Sequence, residues 1–402
     1  MRLLILFVLF QSLFSCANTE EQVVENQFTA ESDTNYLGFN TIIFDYISFV
    51  DTIITNEEYL NLMIPKGYTI AKSTHWKCSD YLDPFKYQIV VEDSSGKNAT
   101  TFYPSLTFIT NTSSLPLNHD LIDLNKDSVY HTNKLPKNAI DAIADYVIPL
   151  YVNSSGDVRI KLKKPLYNIY YNGPSSSNKE TNFETACIHF EYNEDGQTYE
   201  HIIYATLIKN FTHIETYNST CEWQIKNIVG VRSIKNFLND YLPIFQTIIS
   251  SARLSPSWAY YYNYLCNNDF RKLNRISIID YTNRFKGTPS IAEAEELAEY
   301  HRHQNLIRRT FSAYCMYLNH LDYYTNRDGV SIALPAGYSS AWSSTYSQIL
   351  ITSYPGYQPA SDSDIAWTQI KRNESVNENY TIQGCMAPEH DDPYVWNELF
   401  SH

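Results

Sequence analysis

Glycine is scarce in this 402-residue chain, at 12 positions, and neither GxxxxGK[ST] nor GxGxxG occurs. These absences exclude the glycine-rich loops that cradle phosphate in nucleotide sites. Cations are outnumbered, with 30 Lys and Arg against 44 Asp and Glu, and the formal charge of −14 argues against a nucleic-acid partner. The acidity reads as solubility. There is no HExxH and no CxxC, so a zinc-peptidase helix, a zinc ribbon and a thioredoxin-type redox pair are excluded, and no cofactor is expected. Beyond the N-terminal apolar run no segment is long and apolar enough to span a bilayer.

What is present begins with the form of an export signal. Arg2 supplies a positive n-region, and Leu3 to Phe14 is an apolar stretch broken only by Gln11 and Ser12. Two cleavage routes fit. Ser15 and Ala17 are the small residues of a conventional site, which makes residues 1–17 the signal. Leu13-Phe14-Ser15-Cys16 has the outline of a lipobox, in which Cys16 is lipidated and becomes the first residue. Either route predicts an extracytoplasmic protein, secreted or tethered at the cell surface, that touches a membrane only through an N-terminal lipid. Cleavage removes Arg2 and no acid, so −14 becomes −15. Residues 18–35 are polar and acidic and read as a flexible tether.

Both routes also take Cys16 out of the fold, leaving Cys78, Cys187, Cys221, Cys266, Cys315 and Cys385. In an oxidising compartment six cysteines imply three disulfides, and fifteen connectivities are open to them. The expected set joins Cys187 to Cys221, Cys266 to Cys315, and Cys78 to Cys385. Asn-x-Ser/Thr sequences at Asn98, Asn111, Asn153, Asn210, Asn218, Asn373 and Asn379 permit glycosylation. About five such matches would arise by chance in a chain this rich in Asn, Ser and Thr.

The pattern predicts an α+β fold: a β-rich N-terminal domain over residues 36–228, then a helix-containing mixed domain over 229–402. TIIFDYISFV, KYQIVVED and FYPSLTFIT are dense in β-branched and aromatic residues. Val147 to Lys163 reads as a hairpin turning at residues 153–157. On its second strand Arg159, Lys161 and Lys163 alternate with Val158, Ile160 and Leu162, and a solvated basic sheet face is preferred to an anion-binding one. A further hairpin spans Ala186 to Asn210, with Asp195-Gly196 as its turn signal. Then Ile234, Phe237, Leu238, Tyr241, Phe245, Ile248 and Ile249 fall at helical spacing, which predicts a helix over Ser233–Ala252 kinked at Pro243. A longer helix is expected after Gly287-Thr288-Pro289, and VSIAL, at residues 330–334, is a short buried strand.

Four constellations could carry function. Glu295, Glu299 and His303 stack at helical spacing, where a solvated face with a Glu–His pair is preferred to a metal site. Glu389-His390-Asp391-Asp392 has the ligands for a cation site, and a surface turn is preferred. Gly337-Tyr338-Ser339-Ser340-Ala341 outlines a nucleophile elbow with Asp364 and His390 following in order. However, its last position is Ala, Pro335 interrupts the strand, and the N-terminal half lacks alternating strands and helices. The Trp258–Tyr264 aromatic run could stack a glycan, though among 34 tyrosines core packing is the preferred reading.

One series goes further. Ala252-Arg253, Ile278-Ile279-Asp280-Tyr281 with Phe285, the long helix, Asp328-Gly-Val-Ser-Ile-Ala-Leu-Pro335, Trp342 and Tyr346 together resemble the later part of clostripain-like cysteine peptidases. The resemblance implies a Cys–His dyad, because an imidazole is needed to form and hold the thiolate. The family's His lies in Asp-His-Gly and its Cys in a motif like Asp-Ala-Cys-Leu-Met, and neither occurs here. The nearest pair in the right order is His131 and Cys187. The expectation is therefore a non-catalytic binding or interaction protein held by disulfides, with an unidentified protein, peptide or glycan ligand. The alternatives are a clostripain-like peptidase using His131 and Cys187, and a glycan-binding surface protein.

Overall fold

The computed structural model describes residues 40–77, 80, 83–113, 121–123, 128–130, 135–152, 158–172, 179–215, 218–255, 257–259, 261–262, 321–326, 329, 331–360 and 364–373. In chain order the elements begin with β1 (Thr41–Val50), β2 (Glu58–Pro65), β3 (Thr69–Trp76), β4 (Phe85–Glu92), β5 (Ala99–Tyr103), β6 (Leu106–Ser113), β7 (Leu121–Asp123) and β8 (Ser128–Tyr130). A helical stretch follows: α1 (Ala139–Ala142), a π-helical turn (Ile143–Val147) and α2 (Ile148–Tyr151). Next come β9 (Arg159–Asn172), β10 (Lys179–Glu194), β11 (Gln197–Glu215), β12 (Asn218–Ile234), α3 (Leu238–Ser250) and β13 (Arg253–Leu254). The last strands are β14 (Leu321–Thr325), β15 (Ser331–Pro335), β16 (Ser340–Ser344), β17 (Ile349–Thr352) and β18 (Trp367–Arg372).

These strands make two antiparallel sheets. One has eight strands in the order β13-β2-β1-β17-β16-β18-β14-β15, so it combines strands from both ends of the chain. The other has ten: β3-β4-β5-β12-β11-β10-β9, with β6 also on β12 and leading through β7 to β8. The α+β expectation, with a helix-containing C-terminal domain, is overturned, because the described residues are mostly β. The described residues between 321 and 373 form five strands. Each is four to six residues long. That is too short for a period of two to stand out from Ser-, Thr- and Tyr-rich surroundings.

α3 is the wedge between the sheets. It lies against β2 and β15, near opposite ends of the eight-stranded sheet, and against β5 and β12 of the other. The shared core contains Leu62 and Ile64 from the first sheet, Ile89 and Val231 from the second, and Leu242, Phe245 and Ile249 from α3. The predicted helix is present but starts at Leu238, because β12 continues to Ile234 and pairs there with Tyr199. Pro243 sits inside it, as expected.

The far face of the ten-stranded sheet is covered by α1, the π turn and α2. Their Ala142, Ile143 and Val147 pack on Ile188, Phe190, Ile203 and Trp223. Trp223 is fully buried, stacked on Phe108 at 4.0 Å, and its Nε1 donates to Thr110 Oγ1 at 2.9 Å. The hairpin expected over Val147–Lys163 is absent because its first half is helical. Apolar runs as short as this one do not distinguish strand from helix. Ile148 N–H reaches back to Ile143 O, and Pro149 follows with no N–H to give. Asn138 caps α1 by accepting from Asp141 N–H, and Glu184 accepts from Ala139 N–H.

β10 and β11 form the hairpin expected at Asp195-Gly196, with φ of 49° and 80° at the two turn residues. Two positive φ values in a two-residue loop match the right-handed twist of the flanking strands. Gly230, central in β12, has a different reason. A Cβ there would lie 2.5 Å from His201 Nε2 and 2.8 Å from Tyr103 Cε2. Gly230→Ala should therefore destabilise the fold by about 1–3 kcal/mol through overpacking. A urea midpoint equal to that of the parent would refute this.

Candidate functional site

The residues expected to carry chemistry are dispersed by the fold. Cys187 lies on β10 in the shared core and Cys221 on β12 in the cluster on the opposite face. Both are buried and free. Cys187 is opposite Tyr204, and Cys221 is opposite Phe211, farther along β11. That offset corresponds to about 23 Å along the strand, whereas bridged Cα atoms lie within about 7 Å. The expected Cys187–Cys221 disulfide is therefore not formed. The periodicity that buries both cysteines also places them on opposite faces. Cys78, Cys266, Cys315, Cys385, Cys16 and His131 lie outside the described residues, so the other two pairings and the position of the expected imidazole do as well.

Burial pushes the Cys187 thiol up to about 11, against a smaller opposing influence from Lys164. Burial pushes Cys221 up to about 12. A nucleophilic cysteine needs the opposite: a partly exposed, electropositive place that favours thiolate. In native protein at neutral pH, both thiols should resist an exposed-thiol reagent such as dithiobis-nitrobenzoate until denaturant is added. Rapid modification of either in the native state would contradict the burial.

The other sequence candidates resolve as follows. Ser339 follows Gly337 (φ 89°) in a turn that joins β15 to β16, and its Oγ donates to Ser353 O at 2.9 Å. An elbow needs a helix after the turn, and a strand is there instead. Trp258 is 5% exposed, stacked on Tyr262 at 4.9 Å and tilted against Phe85 at 4.9 Å. Its ring is thus used in packing. Asn98 is buried, with Nδ2 donating to Asp93 at 2.6 Å and Oδ1 accepting from Ser233 at 2.6 Å, so its amide is occupied in the folded chain. Asn373 accepts from Thr325 Oγ1, and Asn210 is half-buried on β11. Asn111 and Asn218 lie on β6 and β12. Asn153, Asn379, Glu295, Glu299, His303 and residues 389–392 lie outside the described residues.

A charged cluster that sequence reasoning missed joins the loop after β3 to β4. Lys86, 3% exposed, pairs with Asp80 at 2.7 Å and approaches Asp83 at 3.8 Å. Its Nζ also donates to Ser105 O and Oγ at 3.1 and 3.0 Å. Asp83 accepts from the Ser105 and Tyr262 hydroxyls and faces Lys226 at 3.7 Å. Burial pushes the Asp83 carboxyl up, but Lys226, Lys86 and the two hydroxyls outweigh it and hold it below its ordinary value. Ser105 between a lysine and an aspartate has the outline of an activated nucleophile. The chemistry opposes it: a carboxylate with a lowered proton affinity is a poor base, and an ammonium engaged by carboxylates cannot take the serine proton. The cluster is suited to fixing the β3–β4 loop and Tyr262 against the sheet. In the sequence, SDYLDPFKY reads as an ordinary polar loop, so only the fold reveals it.

The remaining feature is β9. It ends the ten-stranded sheet and, among the described residues, pairs only with β10. The alternation of Arg159, Lys161 and Lys163 was legible in the sequence, but the apolar residues between them are not buried: Ile160 is 40% exposed and Leu162 41%. The β9–β10 register slips between His189 and Phe190, leaving Lys161 as the extra residue of a bulge. Lys161 turns onto the sheet face, where it pairs with Glu191 and with Glu200 at 2.9 Å. Arg159 and Lys163 remain exposed. No protein-family model and no curated protein matches the chain.

Proposed function

We propose that this is an exported, non-catalytic binding protein. The observation that carries the reading is the edge of β9: a strand of 14 residues with one side unpaired among the described residues, two exposed aliphatic residues and a run of cations on an acidic chain. An edge this long is normally covered, interrupted or used. The export signal and the acidic tether remain expectations of the sequence and are part of this proposal. The protein would act outside the cytoplasm, free or lipid-tethered, without a cofactor.

The environment of Cys187 supports binding over peptidase chemistry, since its thiol is buried and its proton tightly held. A cysteine-peptidase activity probe, such as a peptidyl acyloxymethyl ketone with basic P1, should leave the mature protein unmodified. Labelling at Cys187 that disappears in His131→Ala would overturn the reading in favour of a peptidase.

A further inference from the structure

We infer that the β9 edge receives an extended acidic peptide, which adds as a further strand of the ten-stranded sheet. The inference rests on the binding reading above and names its partner. Three features converge between Arg159 and Lys164. First, β9 is the last strand, so one side of its backbone is open among the described residues. An incoming strand would satisfy those groups, as in β-strand addition generally. Second, Arg159, Lys161, Lys163 and Lys164 place four cations in six residues of a chain whose formal charge is −14. Lys161 is held by Glu191 and Glu200, while Arg159 and Lys163 are exposed and have no ion pair among the described residues. Third, Ile160 and Leu162 are exposed beside them. An edge built only for protection would carry charge without leaving Ile and Leu in water.

The same residues argue against other occupants. A second copy pairing β9 to β9 would oppose like charges across the new ladder, which is destabilising. Apolar strands are discouraged by the cations, by the bulge at Lys161, and by Pro165, which has no N–H. Pro165 also limits the usable stretch to the segment before it. The bulge leaves Arg159 and Leu162 on one face, opposite Glu191 and His189, and Ile160 and Lys163 on the other, opposite Phe190 and Ile188, so a strand with acidic and apolar residues on both faces meets the charge and the exposed aliphatics. Discrimination of this kind combines attraction for one partner with repulsion of the rest. A lipid surface could use the charge and the aliphatics but not the backbone edge.

The test uses the full mature chain and fluorescence anisotropy with a labelled ten-residue peptide in which pairs of Glu alternate with pairs of Val or Thr, so that each face of the added strand carries both. Binding is expected, and it should weaken at least tenfold in Arg159→Glu/Lys163→Glu and as salt is raised. N-methylation of alternate amides on one edge of the peptide should abolish it, while N-methylation of the other edge should not. A peptide with Lys in place of Glu should not bind. Three results would overturn the inference: no binding, binding indifferent to N-methylation on either edge, or binding only to vesicles of phosphatidylcholine and phosphatidylserine. Cross-linking of the peptide to a surface other than β9 would also overturn it, while leaving the broader binding reading intact. Matched circular dichroism and urea midpoints would establish that the charge-reversed variant is folded.

Discussion

Lys86→Met should lose about 3–5 kcal/mol of stability, the usual consequence of leaving a buried charge without its partner. Asp80 is fully buried and Asp83 nearly so, and Lys86 is the cation between them. Removing the ammonium takes away the ion-pair partner of Asp80 and leaves Lys226, at 3.7 Å, facing Asp83. It also releases the hydroxyl and carbonyl of Ser105. Urea denaturation followed by tryptophan fluorescence would measure the loss. The double variant Lys86→Met/Asp80→Asn should recover part of it, because it neutralises the carboxylate that pairs with Lys86 at 2.7 Å and leaves Asp83 facing Lys226. A single-variant loss below about 1 kcal/mol would mean that the cluster is hydrated and has the small effect of a surface ion pair. The lowered Asp83 value adds a pH dependence. Its contribution is fully present above the ordinary carboxylate value and is lost as pH falls through the folded one.

Acidification should destabilise the protein well before that, through His201. This side chain is 3% exposed, and neither ring nitrogen has a hydrogen-bond partner among the described residues. The ring is stacked on Phe190 at 5.1 Å and lies close above Gly230. Burial pushes its value down to about 3, with Arg232 and then His189 adding to the effect. Above about pH 6.5 the imidazole is neutral in both folded and unfolded chains, and the shift has no effect. Between there and about pH 3 the unfolded chain binds a proton that the folded chain refuses, so stability falls as pH falls. The total loss is on the order of 5 kcal/mol, of which about 2–3 kcal/mol is expected by pH 4.5. His75 and His189, whose values burial also lowers, act in the same direction. The share due to His201 is therefore read as a difference: His201→Leu should flatten the stability profile between pH 7 and pH 4.5 by that amount. Parallel profiles for parent and variant would mean that His201 titrates normally in the folded state.

Much of the β architecture is legible in the sequence because its strands are long and strongly patterned. TIIFDYISFV is β1 residue for residue, and Asp195-Gly196 marks the turn of the longest hairpin. The register that matters most is not local. β1 pairs with β17 from the other end of the chain, as in Phe44 opposite Ile349, and no periodicity in either segment reports that. The run Val147–Tyr151 is equally apolar as strand or helix, and only its packing on the second core decides between them. The candidate site divides in the same way. The cations of β9 were evident, while the exposure of Ile160 and Leu162 depends on β9 being the last strand, which is a tertiary fact. His201 and Lys86 look like solvated polar residues in sequence. Their burial follows from which neighbouring strands lie over them.

The most direct test is residue-resolved hydrogen–deuterium exchange of β9 to β12 in the free protein. β10 and β11, hydrogen-bonded on both sides, should be protected throughout, apart from bulge positions. β9 should show alternating protection, with the amides that face away from β10 exchanging at close to the rate of unstructured chain. Addition of the acidic peptide should slow those outward amides selectively. Uniform protection of β9 in the free protein, equal to that of β10, would show that its edge is already covered and would contradict the account.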